Sequence, residues 1–549
     1  MISRRKVTSR KTPILVVLSL SLALLQQTQV SAAEPNPCEF DRSPTWVAQE
    51  NSKVGDWQWD EGIPIALEAN VKKLSPTKHV SRLAKTQDAR SQRPIEGWFS
   101  SSSAQCGQSV GLHISSAGRY VDASIFRIGY YAGAGARLIE RVKIKVPDLT
   151  PQEKAAPILT TEDASNWPVA WSLKVTKNTP PGEYVVRLDA SHTEGSFVPL
   201  VITDKGSRNA ISFLSSALTW QAYNKWGGRS LYSGVDGKAD TRATIANFAR
   251  PYAGDGAGQA RYMEYPLIFL AEKVGLDLNY ASDMDLDSGG AAIESSRSII
   301  LSGHAEYWTT AMRANLEKSI ARGANLISLG GNSIYNRPIV DRASNTTSNT
   351  TSNTTSESMS MWRWGGPKDP HANDPLLAST AWRIFPILNP ESLLLGSQYL
   401  GITPVTDLHV AIGNPWPFNV LPAGDILRNV VGTEIDSPLY SPGPSIQELA
   451  SAKVVVRTKD ATMMSTYFVT SSGAAILDIG TDGWVCSIAN NCPWKSKSRA
   501  VDSEKVARVT ENILDSLRTN QLAVIHPPTL NVHDRNIFFD EWAGIVELN

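Results

Sequence analysis

Three short stretches carry side chains that could do chemistry together. "LSGHAEYW" (301–308) sets His304 and Glu306 two residues apart at the end of an apolar run. "TWQAYNKWGGRSLY" (219–232) supplies Tyr223 and Tyr232 among tryptophans and glycines, and "GGNSIYN" (330–336) supplies Asn332. In extended backbone, residues i and i+2 point the same way, so His304 and Glu306 can serve one site. An imidazole beside a carboxylate supports metal ligation and proton transfer.

Several familiar sites do not fit. Structural and catalytic zinc prefer closely spaced His or Cys ligands, and none of the eight histidines stands close to His304 in sequence. A zinc deaminase needs P-C-x-x-C after H-x-E, which is missing, and no G-x-S-x-G nucleophile elbow follows a strand. A two-histidine, one-carboxylate iron site would have to recruit His371 or His409 from far along the chain. Asp283, Asp285 and Asp287 in "SDMDLDSGG" resemble a calcium loop without its closing glutamate; a solvated loop at a strand end is expected there. Gly133 and Gly135 in "YYAGAGARL" lie within β texture, which predicts a hairpin and not a dinucleotide loop.

The elements that must position these groups follow from periodicity. Between 93 and 206, "QSVGLHISS", "DASIFRIGYY", "AWSLKVTKN" and "GEYVVRLDA" alternate over short runs, which predicts an antiparallel β-sandwich domain. From 207 to 520 strands alternate with helices: "NAISFLSSA", "YPLIFLAEKVG", "LDLNYAS", "SRSIILSGH", "TTAMRANLEKSIARG", "ANLISLGGN", "AAILDIGT" and "SEKVARVTENILDSL". That order predicts an α/β domain, with a mostly parallel sheet covered on both faces in three layers. Ligands bind beyond the carboxyl ends of such strands, where all three motifs fall. Residues 34–92 read as an N-terminal extension on the body, 340–470 as loop-rich, and 521–549 as a tail. "SNTTSNTTSNTTSES" (344–358) reads as a disordered low-complexity loop with N-x-T sequons at Asn345, Asn349 and Asn353.

Residues 1–33 have the build of a cleavable export leader: basic Arg4, Arg5, Lys6, Arg10 and Lys11, the apolar "PILVVLSLSLALL", then "VSAAE". The 53 basic and 53 acidic residues cancel, so loss of those five leaves a charge of 53 − 5 − 53 = −5. No basic patch points to nucleic acid, and no other stretch is apolar enough to span a membrane. Four cysteines in an exported chain predict two disulfides, Cys486 with Cys492 and Cys38 with Cys106. The protein is therefore expected to be secreted or periplasmic.

The motifs resemble, in order and approximate spacing, the large (β) subunit of N,N-dimethylformamidase and its relatives. "FRIGYYAGAGARL", "NW" (166–167), "TWQAYNKWGGRSLY", "RPY" (250–252), "LSGHAEYW", "GGN", "GTE" (432–434) and "GAAILDIGTDGW" carry the resemblance across about 93 to 520. It implies one iron, ferric, held by the phenolates of Tyr223 and Tyr232 and the carboxylate of Glu306. Three hard anionic oxygens suit trivalent iron, whose charge lowers phenol pKa values. It further implies His304 as proton shuttle, Asn332 at the substrate carbonyl or oxyanion, and Glu434 as a further acid/base. The implied reaction is hydrolysis of a small amide C–N bond, by a homo-oligomer or with a small partner subunit. The leader and disulfides depart from that family's pattern. They keep open an iron hydrolase with another substrate, and a non-catalytic protein that binds carbohydrate or cell-envelope components.

Overall fold

Alternating apolar runs in the first half of the chain pair into two sheets. β1 (Ile95–Phe99), β3 (Ser109–Ser116) and β6 (Val169–Lys174) form one, in the order β1-β3-β6. The other is β2 (Ser103–Gln105), β8 (Ser196–Thr203), β7 (Gly182–Asp189), β4 (Tyr120–Ile128) and β5 (Ala136–Lys145), in the order β2-β8-β7-β4-β5. Pairing is antiparallel except between β2 and β8. Both sheets contribute to one apolar cluster, with Leu112 and Ile114 from the first and Ile125, Val186 and Leu200 from the second. The "YYAGAGARL" segment is the hairpin between β4 and β5.

The computed structural model describes residues 40, 43, 45–60, 86–88, 90–150, 156–189, 195–203, 210–289, 291–342, 357–363, 368–494 and 500–533. The leader, Cys38, the three sequons and residues 534–549 of the tail lie outside them.

Mixed α/β structure follows. A 9-stranded sheet runs β11 (Leu278–Ser282), β9 (Ile211–Ser215), β12 (Ser298–Gly303), β13 (Asn325–Gly330), β20 (Ala475–Asp478), β19 (Lys459–Val469), β18 (Gln447–Val456), β16 (Gln398–Val410), β17 (Ile426–Ser437). Pairings from β11 to β20 are parallel, and those from β20 to β17 antiparallel. The parallel strands are buried at every position, polar Ser212, Asn279 and Ser328 included, because both faces are covered. Successive β12 residues alternate sides: Ile300 packs with helix Tyr265–Lys273 in one cluster, Ile299 and Leu301 with helix Thr310–Ala321 in another. A fourth, small sheet joins β10 (Ile245–Asn247), β15 (Ser358–Ser360) and β14 (Ile339–Asp341) in the order β10-β15-β14.

Three local expectations are corrected. Residues 398–469 are not loop-rich but supply β16 to β19. Their period-two burial is broken in sequence by Gly401, Pro404, Pro415, Pro417 and Pro422, which mark bulges and turns. "SDMDLD" is not a solvated loop but a short helix, Asp283–Asp287. Ser282 caps it, Asp283 is buried and accepts from the Leu218 amide, and Asp285 accepts from Ser103. The low-complexity segment ends earlier than expected, since Ser358 opens β15 and pairs with Asn247.

The two halves lock together through a buried ion pair. Arg127 on β4 meets Glu272 of helix Tyr265–Lys273 at 2.5 Å, both fully buried. Tyr280 donates to the same carboxylate at 2.7 Å, and Asn51 of the N-terminal helix Trp46–Asn51 at 2.9 Å. The described part of the N-terminal extension therefore lies on the body. Cys486 and Cys492 form a disulfide. Cys106 is also disulfide-bonded, and its expected partner Cys38 lies outside the described residues. Among the described residues no helix is long and apolar enough to cross a membrane.

Candidate metal and acid–base site

The parallel strands deliver all three motifs to one rim. β9 ends at Ser215 and leads into helix Ala217–Tyr223; β12 ends at Gly303 and β13 at Gly330. Gly303 and Gly330 face each other, and a Cβ on Gly330 would stand 1.8 Å from the Gly303 carbonyl oxygen. Only glycine permits that approach, which sends the His304 and Asn332 segments across the strand ends side by side. Asn332 adopts φ 55°, a left-handed turn that asparagine tolerates.

Glu306 is the hub. Its Oε2 accepts from the Tyr223 hydroxyl at 2.9 Å and from the Tyr232 hydroxyl, and its Oε1 from Asn336 Nδ2 at 2.6 Å. The two tyrosine rings stack with centroids 4.0 Å apart. His304 Nδ1–H donates to the Gly331 carbonyl at 3.1 Å, which leaves Nε2 facing Tyr223 OH at 3.0 Å. Glu434 on β17 completes the group, with Oε1 3.3 Å from Tyr223 OH and Oε2 3.7 Å from His304 Nε2. Asn332 Nδ2 donates to Glu434 Oε2 at 2.6 Å, and the Asn332 amide is held by Asp436. All six residues singled out in sequence therefore meet at one place. His304 and Glu306 are buried, while Tyr223, Tyr232 and Glu434 remain partly open to solvent.

The contacts set strong electrostatics. Burial, then the charges of Glu306 and Glu434, push the Tyr223 phenol well above its usual range. Burial does the same to Tyr232, against the pull of Arg363. Burial would lower His304, but Glu434 and Glu306 outweigh it and raise the imidazole to about 10. Burial raises Glu434. Burial opposes ionisation of Glu306 too, yet the His304 hydrogen bond and the Arg363 charge hold it below the ordinary carboxylate range. Burial and Glu434 raise nearby Asp482, which accepts from Thr433, to about 8. Two phenols on one carboxylate oxygen are an arrangement in which a cation can replace two protons. Among the described residues no group of three His, Cys, Asp or Glu is placed to hold a metal. Tyr223, Tyr232 and Glu306 could together hold a cation, and two phenolates with a carboxylate suit a hard trivalent ion.

Sequence reasoning missed the residues that hold this hub. Asn336 lay in a motif noted for its asparagine at 332, and Tyr307 in one noted for His304 and Glu306. Tyr307 donates to the Tyr232 hydroxyl at 3.1 Å. Arg363, just after the low-complexity segment, lies 3.8 Å over the Tyr232 ring and 3.9 Å from Glu306 Oε1; no local signal marks it. Thr219 Oγ1 accepts from the Glu306 amide at 3.1 Å. Buried Arg250 of "RPY" donates to the carbonyls of Gln221 (2.8 Å) and Asn224 (3.1 Å), clamping the turn that carries Tyr223.

Residues 122–494 match the family described as N,N-dimethylformamidase beta subunit-like, C-terminal. The chain belongs to this family. The matched span holds every residue of the hub, from Tyr223 to Glu434. At family level, membership places the chain among dimethylformamidase-like hydrolases. No curated protein matches it.

Proposed function

We propose that the protein is an exported hydrolase of small amide C–N bonds, with one ferric iron held by Tyr223, Tyr232 and Glu306. The observation that carries this reading is the meeting of both tyrosine hydroxyls on one Glu306 oxygen, with His304 and Glu434 alongside. When bound, such an ion polarises an amide carbonyl and eases deprotonation of water.

The chain's own groups do the rest. Glu434, aimed by Asn332, takes the proton of the attacking water. Asn332 thus acts as a positioning residue through one Nδ2–H donated to Glu434, and its second Nδ2–H serves the substrate carbonyl or oxyanion. His304 is fixed at Nδ1 by the Gly331 carbonyl, so Nε2 is the atom that delivers a proton to the departing amine. Water's oxygen bonds to the carbonyl carbon, the C–N bond breaks, and the amine leaves with that proton. Arg363 offsets the negative charge gathered at Glu306 and Tyr232. The leader and the Cys486–Cys492 disulfide support export, and the family's description as a subunit supports a small partner chain.

Release of formate and amine from formamides by the purified protein tests the reading. His304→Ala and Glu434→Gln are each expected to lose roughly 100-fold or more. Wild-type protein that is folded and iron-loaded yet inert toward formamides and acetamides would refute it.

A further inference from the structure

A separate cavity borders the helix that carries Tyr223. It offers about 90 Å³ of space, and exposed Ser100 and Ser101 are among the residues that line it. Trp220 and Gln221 of helix Ala217–Tyr223 form one wall, but none of the hub residues at Glu306 lines it. On its inner surface sits Glu183 of β7, which is 0% exposed. Both carboxylate oxygens of Glu183 lack a hydrogen-bond partner, as does Ser215 Oγ beside it. Glu264 is also fully buried; its Oε1 accepts from the Ser216 amide at 2.9 Å, and its Oε2 has no partner.

Two buried carboxyls without a cation are costly, because each must shed its hydration or keep a proton. Burial alone raises Glu183 to about 8, and the nearby Ser215 hydroxyl lowers it only in part. Burial and the charge of Glu183 raise Glu264 as well. No Lys, Arg or His figures among the influences on either group, and the cation in the lining, Arg250, donates instead to the carbonyls of Gln221, Asn224 and Asn247.

The rest of the lining decides which cation is missing. Trp98, Phe99, Phe248 and Tyr252 complete an aromatic wall with Trp220. The indole N–H groups of Trp98 and Trp220 are buried and unpartnered. A bare metal ion needs oxygens on most sides, and the aromatic side of this cavity offers few. Aromatic side chains around a carboxylate suit an organic ammonium, whose alkyl groups pack on the rings while its N–H donates to the acid.

We propose that this cavity is a binding site for a small alkylammonium ion, with Glu183 as counter-ion and the Trp98, Trp220 and Tyr252 side chains as its aromatic walls. The site does not depend on the amide-hydrolase reading. On binding at neutral pH, Glu183 releases its proton to solvent and pairs with the ligand.

Calorimetric titration of the full chain with dimethylammonium chloride, against sodium chloride at equal ionic strength, tests this. Saturable binding of one ion per chain is expected, with proton release at pH 7 read from buffers of different ionisation enthalpy. Glu183→Gln should weaken binding more than about tenfold, the loss of one charge-assisted contact, and Glu306→Gln should leave it unchanged. Ser215→Ala, a smaller change, should weaken it less and guards against a Glu183 variant that fails to fold. Absence of saturation up to roughly 100 mM, far weaker than any specific site, would overturn the proposal. So would an unaltered affinity in Glu183→Gln, or displacement by equimolar potassium or calcium.

Discussion

Asn336 offers a demanding check on the hub, because its side chain hydrogen-bonds to Glu306. Nδ2 donates to Glu306 Oε1 at 2.6 Å, and the residue is 2% exposed. Its backbone is anchored separately: the carbonyl accepts from the Trp308 amide at 2.8 Å and the amide donates to the Glu306 carbonyl at 2.9 Å. Asn336→Ala therefore removes one hydrogen bond to a carboxylate while the turn persists. A hydrogen bond to a charged group is worth about 1.5–3 kcal/mol, and each 1.4 kcal/mol is a factor of ten. With Glu306 as a metal ligand, iron affinity should fall roughly 10- to 150-fold, in line with other losses behind a ligating carboxylate. Chelator competition followed by the visible absorbance of the iron–phenolate band reads this directly, with a melting curve to confirm folding. Iron retention within threefold of wild type, in a folded variant, would refute the placement of Asn336 behind a ligand.

Other outcomes follow from different parts of the molecule. Glu272→Gln leaves Arg127 buried without its counter-charge and should cost about 3–5 kcal/mol in urea unfolding; a loss below about 1 kcal/mol would show that the pair does not lock the halves. Gly330→Ala places a methyl against the Gly303 carbonyl, so the variant should melt lower and lose formamide cleavage, whereas full activity would contradict the close approach. Burial raises Glu96 to about 7 and Asp283 to about 7. Between pH 5 and 8 the folded state keeps protons that the unfolded chain has released, so stability falls as pH rises through this window. Glu96 alone accounts for roughly 3 kcal/mol. Glu50 and Asp88, held below their ordinary values, act only at lower pH. Melting temperature should drop from pH 5.5 to 8.5, and Glu96→Gln should flatten the slope; a steeper slope in that variant would contradict the assignment.

Much of the site was legible because its side chains leave strand ends in short, distinctive runs. "SIILSGHAEYW" announces a buried strand, a glycine turn and two polar groups two residues apart, and β12 with Gly303 realises that order. The proposed ligand trio was not legible from spacing. Tyr223 looks like a packing residue until Glu306, 83 residues away, is seen to share its proton. The antiparallel half of the large sheet was missed for a different reason. β16 to β19 alternate, but bulges and prolines break the period, and pairing between distant strands leaves no local trace. Glu434 depends on that half, since its place beside His304 exists only once β17 has joined the sheet edge.

Metal content and the visible spectrum of the purified protein decide whether Tyr223, Tyr232 and Glu306 hold iron. About one iron per chain is expected, with a phenolate charge-transfer band that Tyr223→Phe or Tyr232→Phe shifts and weakens and Glu306→Ala abolishes. A folded protein that stays colourless and iron-free after growth and purification with ferric iron present would contradict it.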